Sequence, residues 1–389
     1  MKDNEEKACL CALNRIFGFE PKIALAMMTH LGSASEVFSL KTEDIDRILG
    51  PYSRYKGKIG RKVVDECHAE LEKLSRSGTS FIGWSERCYP ALLKECADAP
   101  IGLYVRSSSS PERLWDQFRR RIAIIGTRDL SPYGRDWCEK IVDGISRCKE
   151  KPVIVSGLAY GADICAHKAA ISSGLETIGV MATGPDMIYP YRHKGTAELM
   201  ATSEGCALIT DYPPGTAPRA IHFLRRNRII AGLCEATILI ESKAKGGGMM
   251  TAGLAASYNR DVYAIPGRLD DLRSQGCNIL IRAKTAEPVI SVEDLVESLG
   301  FQQTGPASHG HDSRYLEGLY QERFDKDRIE KMAILLLEIR KNRGISVEDL
   351  AETVGMDYTG VSRLTGILEA DGLIQIDLLQ RCSIANISR

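Results

Sequence analysis

Between Ile122 and Ile265 the chain alternates short apolar runs with longer amphipathic or polar stretches. The runs are Ile122–Ile125, Val153–Val155, Thr177–Met181, Ala207–Ile209, Ala236–Ile240 and Val262–Ile265. Polar residues do not alternate within them, which is the pattern of strands buried on both faces rather than of a half-solvated hairpin. Intervening segments such as Gly134–Cys148 and Gly161–Ser172 are long enough for crossover helices. Strand and helix in steady succession predict a doubly wound parallel α/β sheet.

The residues at the carboxyl end of each run turn the reading from architecture towards a site. The runs end in Gly126-Thr-Arg, Ser156-Gly-Leu-Ala-Tyr-Gly-Ala-Asp, Thr183-Gly-Pro-Asp, Thr210-Asp-Tyr-Pro-Pro-Gly-Thr, Glu241–Gly248 and Pro266-Gly-Arg. Open α/β sheets bind ligands beyond the carboxyl ends of their strands, so these six loops should line one crevice. Turns need glycine in any case. The coincident cations weigh more: Arg128, then Arg225, Arg226 and Arg228 beside Phe223 and Asn227, then Lys243 and Lys245. After the triple glycine Gly246–Gly248, residues Met249–Ala256 read as the first turns of a helix. A strand, a glycine turn and a helix N-terminus offer backbone N–H groups and a positive dipole end to an anion. Arginines add bidentate donors for phosphate. A phosphorylated or polyanionic ligand is therefore expected.

The flanks read differently. Residues 1–75 look all-helical, with Leu10, Leu13, Ile16 and Phe17 at helical spacing and turns at Gly18, Gly32, Gly50 and Gly57. The segment Tyr52–Lys62 is locally basic, a DNA-backbone contact or a solvated helix face. Residues 76–121 form a bridge with short strands near Phe81–Trp84 and Pro100–Val105, a hinge-like loop at Ser107–Pro111, and the triplet Arg119–Arg121, by default a solvated charge run that could also lengthen a phosphate path. Together 76–300 make the central domain, and 301–325, polar over 302–313, a linker in which His309 and His311 read as linker residues. Residues 326–389 carry a helix at Lys331–Ile339, a helix-turn-helix with Ser346 and Asp357 as N-caps, and a wing hairpin from Gly372–Asp377 and Arg381–Ile387. That is a winged-helix pattern. From Lys326 onward nine Lys or Arg face ten Asp or Glu, so a protein contact or an auxiliary role is expected over duplex reading.

Composition narrows the classes. A chain of 389 residues calls for two or three domains, and its 51 Lys plus Arg balance 51 Asp plus Glu, so nucleic-acid binding must rest on a local patch. Twelve cysteines without a C-x-x-C pair read as reduced thiols, and Cys9 with Cys11 does not make a zinc site. The N-terminus has no signal-peptide core and no run has the length of a membrane span, so a cytoplasmic protein without metal or cofactor is expected.

Taken together, the motifs resemble the DNA-processing protein A family, over most of the chain. Ile122-Ala-Ile-Ile-Gly-Thr-Arg is similar to its strand ending in G-S/T-R. Val155-Ser-Gly-Leu-Ala-Tyr-Gly-Ala-Asp with Ala166-His167 is similar to its S-G-x-A-x-G-x-D…A-H segment. Tyr189-Pro190, Asp211-Tyr-Pro-Pro-Gly-Thr, Phe223-Leu-Arg-Arg-Asn-Arg, Glu241…Gly247-Gly248…Thr251-Ala252 and Ala264-Ile-Pro-Gly follow in the family's order, and Trp84, Tyr89-Pro90 and Leu103-Tyr104 also fit. The resemblance implies an extended Rossmann-like domain, a sterile-alpha-motif-like N-terminal module and a C-terminal winged helix. It further implies binding and shielding of single-stranded DNA during natural transformation, help in loading the RecA recombinase, a homodimer formed through the Rossmann-like domain, and no catalysis. Carried over by motif, Arg128 with Phe223, Arg226, Asn227 and Arg228 would hold the strand. Gly126, Thr127, Ser156, Gly157, Arg225, Lys243, Lys245, Gly247, Gly248 and Thr251 complete the expected DNA-binding set. The chain departs from the family at Leu224, usually Pro; at Thr210-Asp-Tyr, usually Ser-Glu-Tyr; at Gly246-Gly-Gly, usually Ser-Gly-Ser; and at Arg192-His193, where an asparagine often follows Tyr-Pro.

Two other classes compete. Nucleotide-cleaving Rossmann-like enzymes carry P-G-G-x-G-T-x-x-E, but Gly246-Gly-Gly-Met-Met-Thr lacks the downstream glutamate and no Walker lysine follows the glycines. Asp163 and His167 could be an acid–base pair, though capping and helix packing suit them better. A winged-helix DNA-binding regulator is the third reading, weakened by that domain's acidic balance.

Overall fold

The computed structural model describes residues 2–50, 52–116, 118–302, 316, 318–321, 323–342 and 344–384. These divide into two compact units, Met1–Gln303 and Thr304–Arg389.

The first unit opens with five helices, α1 (Lys2–Phe17), α2 (Pro21–Leu31), α3 (Ala34–Ser39), α4 (Thr42–Leu49) and α5 (Arg61–Arg76). Strands β1 (Thr79–Gly83) and β2 (Gly102–Arg106) follow, separated by the short α6 (Ala91–Lys94). After α7 (Pro111–Leu114) the chain alternates: β3 (Arg121–Ile125), α8 (Pro132–Ser146), β4 (Val153–Ser156), α9 (Ala162–Ser172), β5 (Thr177–Val180), α10 (Lys194–Thr202) and β6 (Ala207–Thr210). Then come α11 (Ala220–Leu233), β7 (Ala236–Leu239), α12 (Gly247–Ser257), β8 (Asp261–Ala264), α13 (Gln275–Arg282), β9 (Glu287–Pro288) and α14 (Val292–Ser298).

The nine strands form one sheet in the order β1-β2-β6-β5-β4-β3-β7-β8-β9. From β6 to β9 every pairing is parallel; β2 joins β6, and β1 joins β2, antiparallel. The six apolar runs are thus the six long parallel strands, as the pattern predicts. The segment before Arg121 is not a mere bridge: its two strands extend the sheet past β6. Alternate residues of each strand serve opposite faces. Ala123, Ile125, Val155 and Val180 pack with Ile229, Ile230 and Leu233 of α11 and Ala252 of α12. Ile122, Ile124, Ile154 and Ile238 pack with Cys138, Ile141 and Ile145 of α8 and Ala166 of α9. Both faces being covered explains the absence of polar alternation in the runs.

The helical N-terminus shares its core with the sheet edge, since Leu10, Leu13 and Phe17 of α1 cluster with Phe81, Ile101 and Tyr104. Asn14 Nδ2 donates to the Asp211 carbonyl at 2.8 Å, beyond β6. The basic stretch after Tyr52 is largely neutralised: Arg54 pairs with Glu20, Lys56 with Asp46, and Arg61 with Glu5 and Asp65. Nor is Ser107–Pro111 a loose hinge. Ser107 Oγ donates to the Cys206 carbonyl at 2.6 Å, Ser109 Oγ accepts from Gly205 N–H at 2.8 Å, and Ser110 caps α7.

The second unit contains α15 (Lys326–Lys341), β10 (Ile345–Ser346), α16 (Val347–Val354), α17 (Tyr358–Ala370), β11 (Ile374–Ile376) and β12 (Arg381–Ile384). Ser346 and Asp357 accept from backbone N–H groups three residues on, capping α16 and α17. Strands β10, β12 and β11 pair antiparallel in that order, which supplies the wing. Leu316 and Tyr320 lie in this unit's core, so the stretch read as linker ends before Leu316. His309 and His311 fall outside the described residues.

Candidate nucleic-acid interface on the carboxyl rim

The parallel order β6-β5-β4-β3-β7-β8 reverses direction between β3 and β7, the point at which open α/β sheets usually take ligands. In dinucleotide-binding folds the pyrophosphate sits on the N-terminus of the first helix. Here that position is filled from within. Ser131 N–H donates to Glu241 Oε2 at 2.9 Å, Ser131 Oγ donates to Oε1, and Ser131 itself caps α8 through Gly134 N–H. A side chain at Gly134 would run into the Glu241 carboxyl, so this glycine is a close-approach glycine. Backbone bonds from Thr127 N–H to the Glu241 carbonyl (2.7 Å) and from Ala162 N–H to the Thr127 carbonyl (3.1 Å) lock three adjacent loops together.

This scaffold presents a smaller exposed set than the sequence predicts. Arg128 is exposed, and its guanidinium carbon lies 5.2 Å from the centroid of the half-buried Phe223 ring. Phe223 in turn lies 5.6 Å from the ring of Tyr189, which is 47% exposed. Lys243 and Lys245 are exposed on the loop after β7, the neighbour of β3, and Gly247 is exposed at the start of α12; Gly126 and Thr127 are half-buried. The N-terminus of α12 carries no side-chain cap, and the exposed Gly247 stands at its first position, at the positive end of the helix dipole.

Several expected contacts are corrected. Arg225, Arg226, Asn227 and Arg228 all lie on one helix, α11, laid across the sheet, and successive residues on a helix point about 100° apart. Arg226 is 3% exposed and donates to the Val180 carbonyl, under Gly157, where any Cβ would strike its guanidinium. Arg228, 6% exposed, pairs with Asp211 at 2.6 Å. Asn227 is buried beside them. Arg225 is half-buried: it donates to the Gly18 carbonyl at 2.6 Å and lies 4.3 Å from the Phe19 ring centroid, so it clasps the N-terminal helices. Ser156 is buried, with Oγ donating to the Ile124 carbonyl at 2.6 Å. Thr251 is buried and its hydroxyl returns to the Gly247 carbonyl within α12. Gly157 and Gly248 are buried as well, Gly248 close against Gly126. These residues shape the rim from below. The triplet Arg119–Arg121 lies at the opposite, amino end of β3: Arg119 pairs with Glu176, Arg120 with Glu235, and the buried Arg121 donates to the Leu114 carbonyl.

The reverse omission is aromatic. Tyr160 (44% exposed), Tyr189 and Tyr191 (76%) stand on the loops after β4 and β5. Their signal was in the sequence, as three tyrosines in glycine- and proline-rich loops at strand carboxyl ends, but it is overshadowed there by the arginines.

Asp163 and His167 are structural. Asp163 accepts from Ala159 N–H at 3.3 Å; burial pushes its carboxyl up, and the Arg226 guanidinium partly offsets this. His167 Nδ1 lies 2.7 Å from Thr177 Oγ1, and burial, with Arg226 and His193 beside it, pushes the imidazole down to about 3 from 6.5. The unfolded chain takes up this proton near pH 6.5 and the folded chain only near 3, so acid favours unfolding across that window. Urea-denaturation midpoints should therefore fall as pH drops from about 6.5 towards 3, and less steeply in a His167→Gln variant.

The architecture defines a class: a Rossmann-like α/β protein with rings and cations on its carboxyl rim, joined to a winged-helix unit. Residues 80–300 match the family model of DNA recombination-mediator protein A, and 334–375 match a winged helix-turn-helix DNA-binding model. The chain belongs to the DNA recombination-mediator protein A family. It is 35% identical over 265 residues to the DNA processing protein DprA of Streptococcus pneumoniae, across 67% of this chain and 90% of that one. The X-ray structure of DprA from the same organism superposes with a TM-score of 0.60 at 31% identity, covering 77% of this chain and 99% of that chain. A Helicobacter pylori DNA processing protein A, whose structure concerns its single-stranded DNA binding mode, gives a TM-score of 0.51 at 26% identity over 58% of this chain and 97% of that one.

Proposed function

We propose that this chain binds single-stranded DNA along its carboxyl rim in a sequence-tolerant way. The observation that carries the reading is the exposed Arg128 guanidinium set over the Phe223 ring beside Tyr189. A ring takes any base face, while the cation takes the adjoining phosphate. Lys243, Lys245 and the uncapped N-terminus of α12 continue the anionic path on the neighbouring strand end. Family membership supports the wider role: shielding the strand and passing it to the RecA recombinase in DNA-mediated transformation, as a cytoplasmic homodimer joined through the Rossmann-like domain. On this reading the protein performs no chemistry. The internal carboxylate on the α8 N-terminus weighs against a nucleotide-hydrolysing enzyme, since a phosphate there would meet Glu241. No described helix is long and apolar enough to cross a membrane.

The test is a salt titration with an oligothymidylate and the intact chain. The logarithm of affinity should fall linearly with the logarithm of salt, with a slope of about −0.7 per phosphate neutralised. A flat response, or tighter binding to a duplex of the same length, would reject the proposal.

A further inference from the structure

We propose that Tyr160, Tyr191, Arg192 and Lys194 form a second base-stacking station for the same strand, taking nucleotides beyond those held at Arg128 and Phe223. The inference rests on the single-strand binding proposed above and names a part of the rim that it does not use. Tyr191 is 76% exposed, with the exposed Arg192 next in the chain and Lys194 Nζ 5.6 Å from its ring centroid, the lysine also pairing with Glu198 at 3.6 Å. Tyr160 packs edge-on against His193 at 4.9 Å. His193 is buried, with Nδ1 2.8 Å from the Leu158 carbonyl, so it ties the loop after β4 to the 3₁₀ turn Tyr191–His193 that follows β5. Tyr189 stands two residues before Tyr191 and against Phe223. Phe223 of α11 thus meets Tyr189 on the loop after β5, and Tyr191 on the same loop is tied through His193 to the loop after β4 that carries Tyr160.

Tyr191 owes little to the core, because three quarters of it faces water. A row of exposed rings interleaved with Arg192 and Lys194 suits an unpaired polynucleotide, whose base faces are free to stack while its phosphates meet the cations. Duplex DNA has no free base faces for the rings.

The experiment measures fluorescence anisotropy of the intact chain with oligothymidylates of about 6 and about 20 nucleotides, lengths that bracket one binding site. Tyr191→Leu should weaken the long probe about tenfold and leave the short one within about twofold, the size expected of one lost stacking contact. Tyr191→Phe should bind like the parent. Removing the bases from one end of the long probe, keeping the phosphates, should reproduce the loss in the parent and add little in Tyr191→Leu. Equal effects on both lengths, or none on either, overturn the second station while leaving the first intact. A parent chain that binds neither length overturns the binding function itself.

Discussion

Replacing Arg228 with Met should destabilise the first unit by about 3–5 kcal/mol, the range for breaking a buried ion pair from one side. Arg228 Nη2 lies 2.6 Å from Asp211 Oδ2, and the two side chains are only 7% and 5% exposed. Arg228 Nη1 also donates to the Asp98 carbonyl. The Asp98 carboxylate in turn accepts from the Tyr258 hydroxyl at 2.7 Å, which joins α11 to α12 through the loop before β2. Without the guanidinium, the Asp211 carboxyl is left in a site with almost no water and without its partner, and that desolvation is what makes one-sided removal costly. The double variant Arg228→Met/Asp211→Leu should recover much of the loss, because no lone buried charge remains. Chemical denaturation of the three proteins checks both statements; a double variant as unstable as the single one would show that the hydrogen bonds, not the charge, dominate.

Phe223→Ala and Arg128→Ala are the substitutions that should cut DNA affinity most. Each should cost about 1–3 kcal/mol, from lost base stacking in one case and lost charge-assisted phosphate contact in the other. Arg128 is exposed, so Arg128→Ala should keep the folded protein's stability to within about 0.5 kcal/mol, as usual for surface substitutions. The half-buried Phe223 also packs on Tyr189, so affinities of Phe223→Ala are compared at a temperature where it is fully folded. Because the guanidinium carbon sits 5.2 Å from the ring centroid, the losses should not add: part of what Arg128 does is done through the ring. A double-mutant cycle with a labelled oligothymidylate measures that coupling. Additive losses would mean that ring and cation engage the strand independently. Unchanged affinity in both single variants would remove this cluster from the interface.

The contrast between Arg128 and Arg228 marks where sequence reading stops. The six parallel strands were legible because burial on both faces erases polar alternation, and the helix caps at Ser346 and Asp357 were legible because capping is local chemistry. The antiparallel pair β1–β2 was harder, since nothing in a short apolar run says which edge it joins. The arginines of α11 failed as a group for a geometric reason. A run of cations written along a line becomes a spiral once the segment is helical, and only its outward side can meet a ligand. Arg226 and Arg228 point into the protein, where carbonyls and Asp211 receive them. Whether a given arginine has an internal partner depends on residues such as Asp211, Val180 and Asp98, which the chain brings in from far away. Phe223 stays on the rim, where its neighbours are Arg128 and Tyr189 rather than core.

The shared core between α1 and the sheet edge has a consequence for how the chain can be cut. Severing it at residue 76 would follow the change from helices to strands, yet it would bare Phe81, Ile101 and Tyr104. Returning each such side chain to water costs about 1.5–3 kcal/mol. It would also release Arg225 from its clasp on Gly18 and Phe19, two residues from Phe223 along α11. The leading helices are thus a buttress for the Phe223 ring, and a truncated form would lose the footing of α11 first.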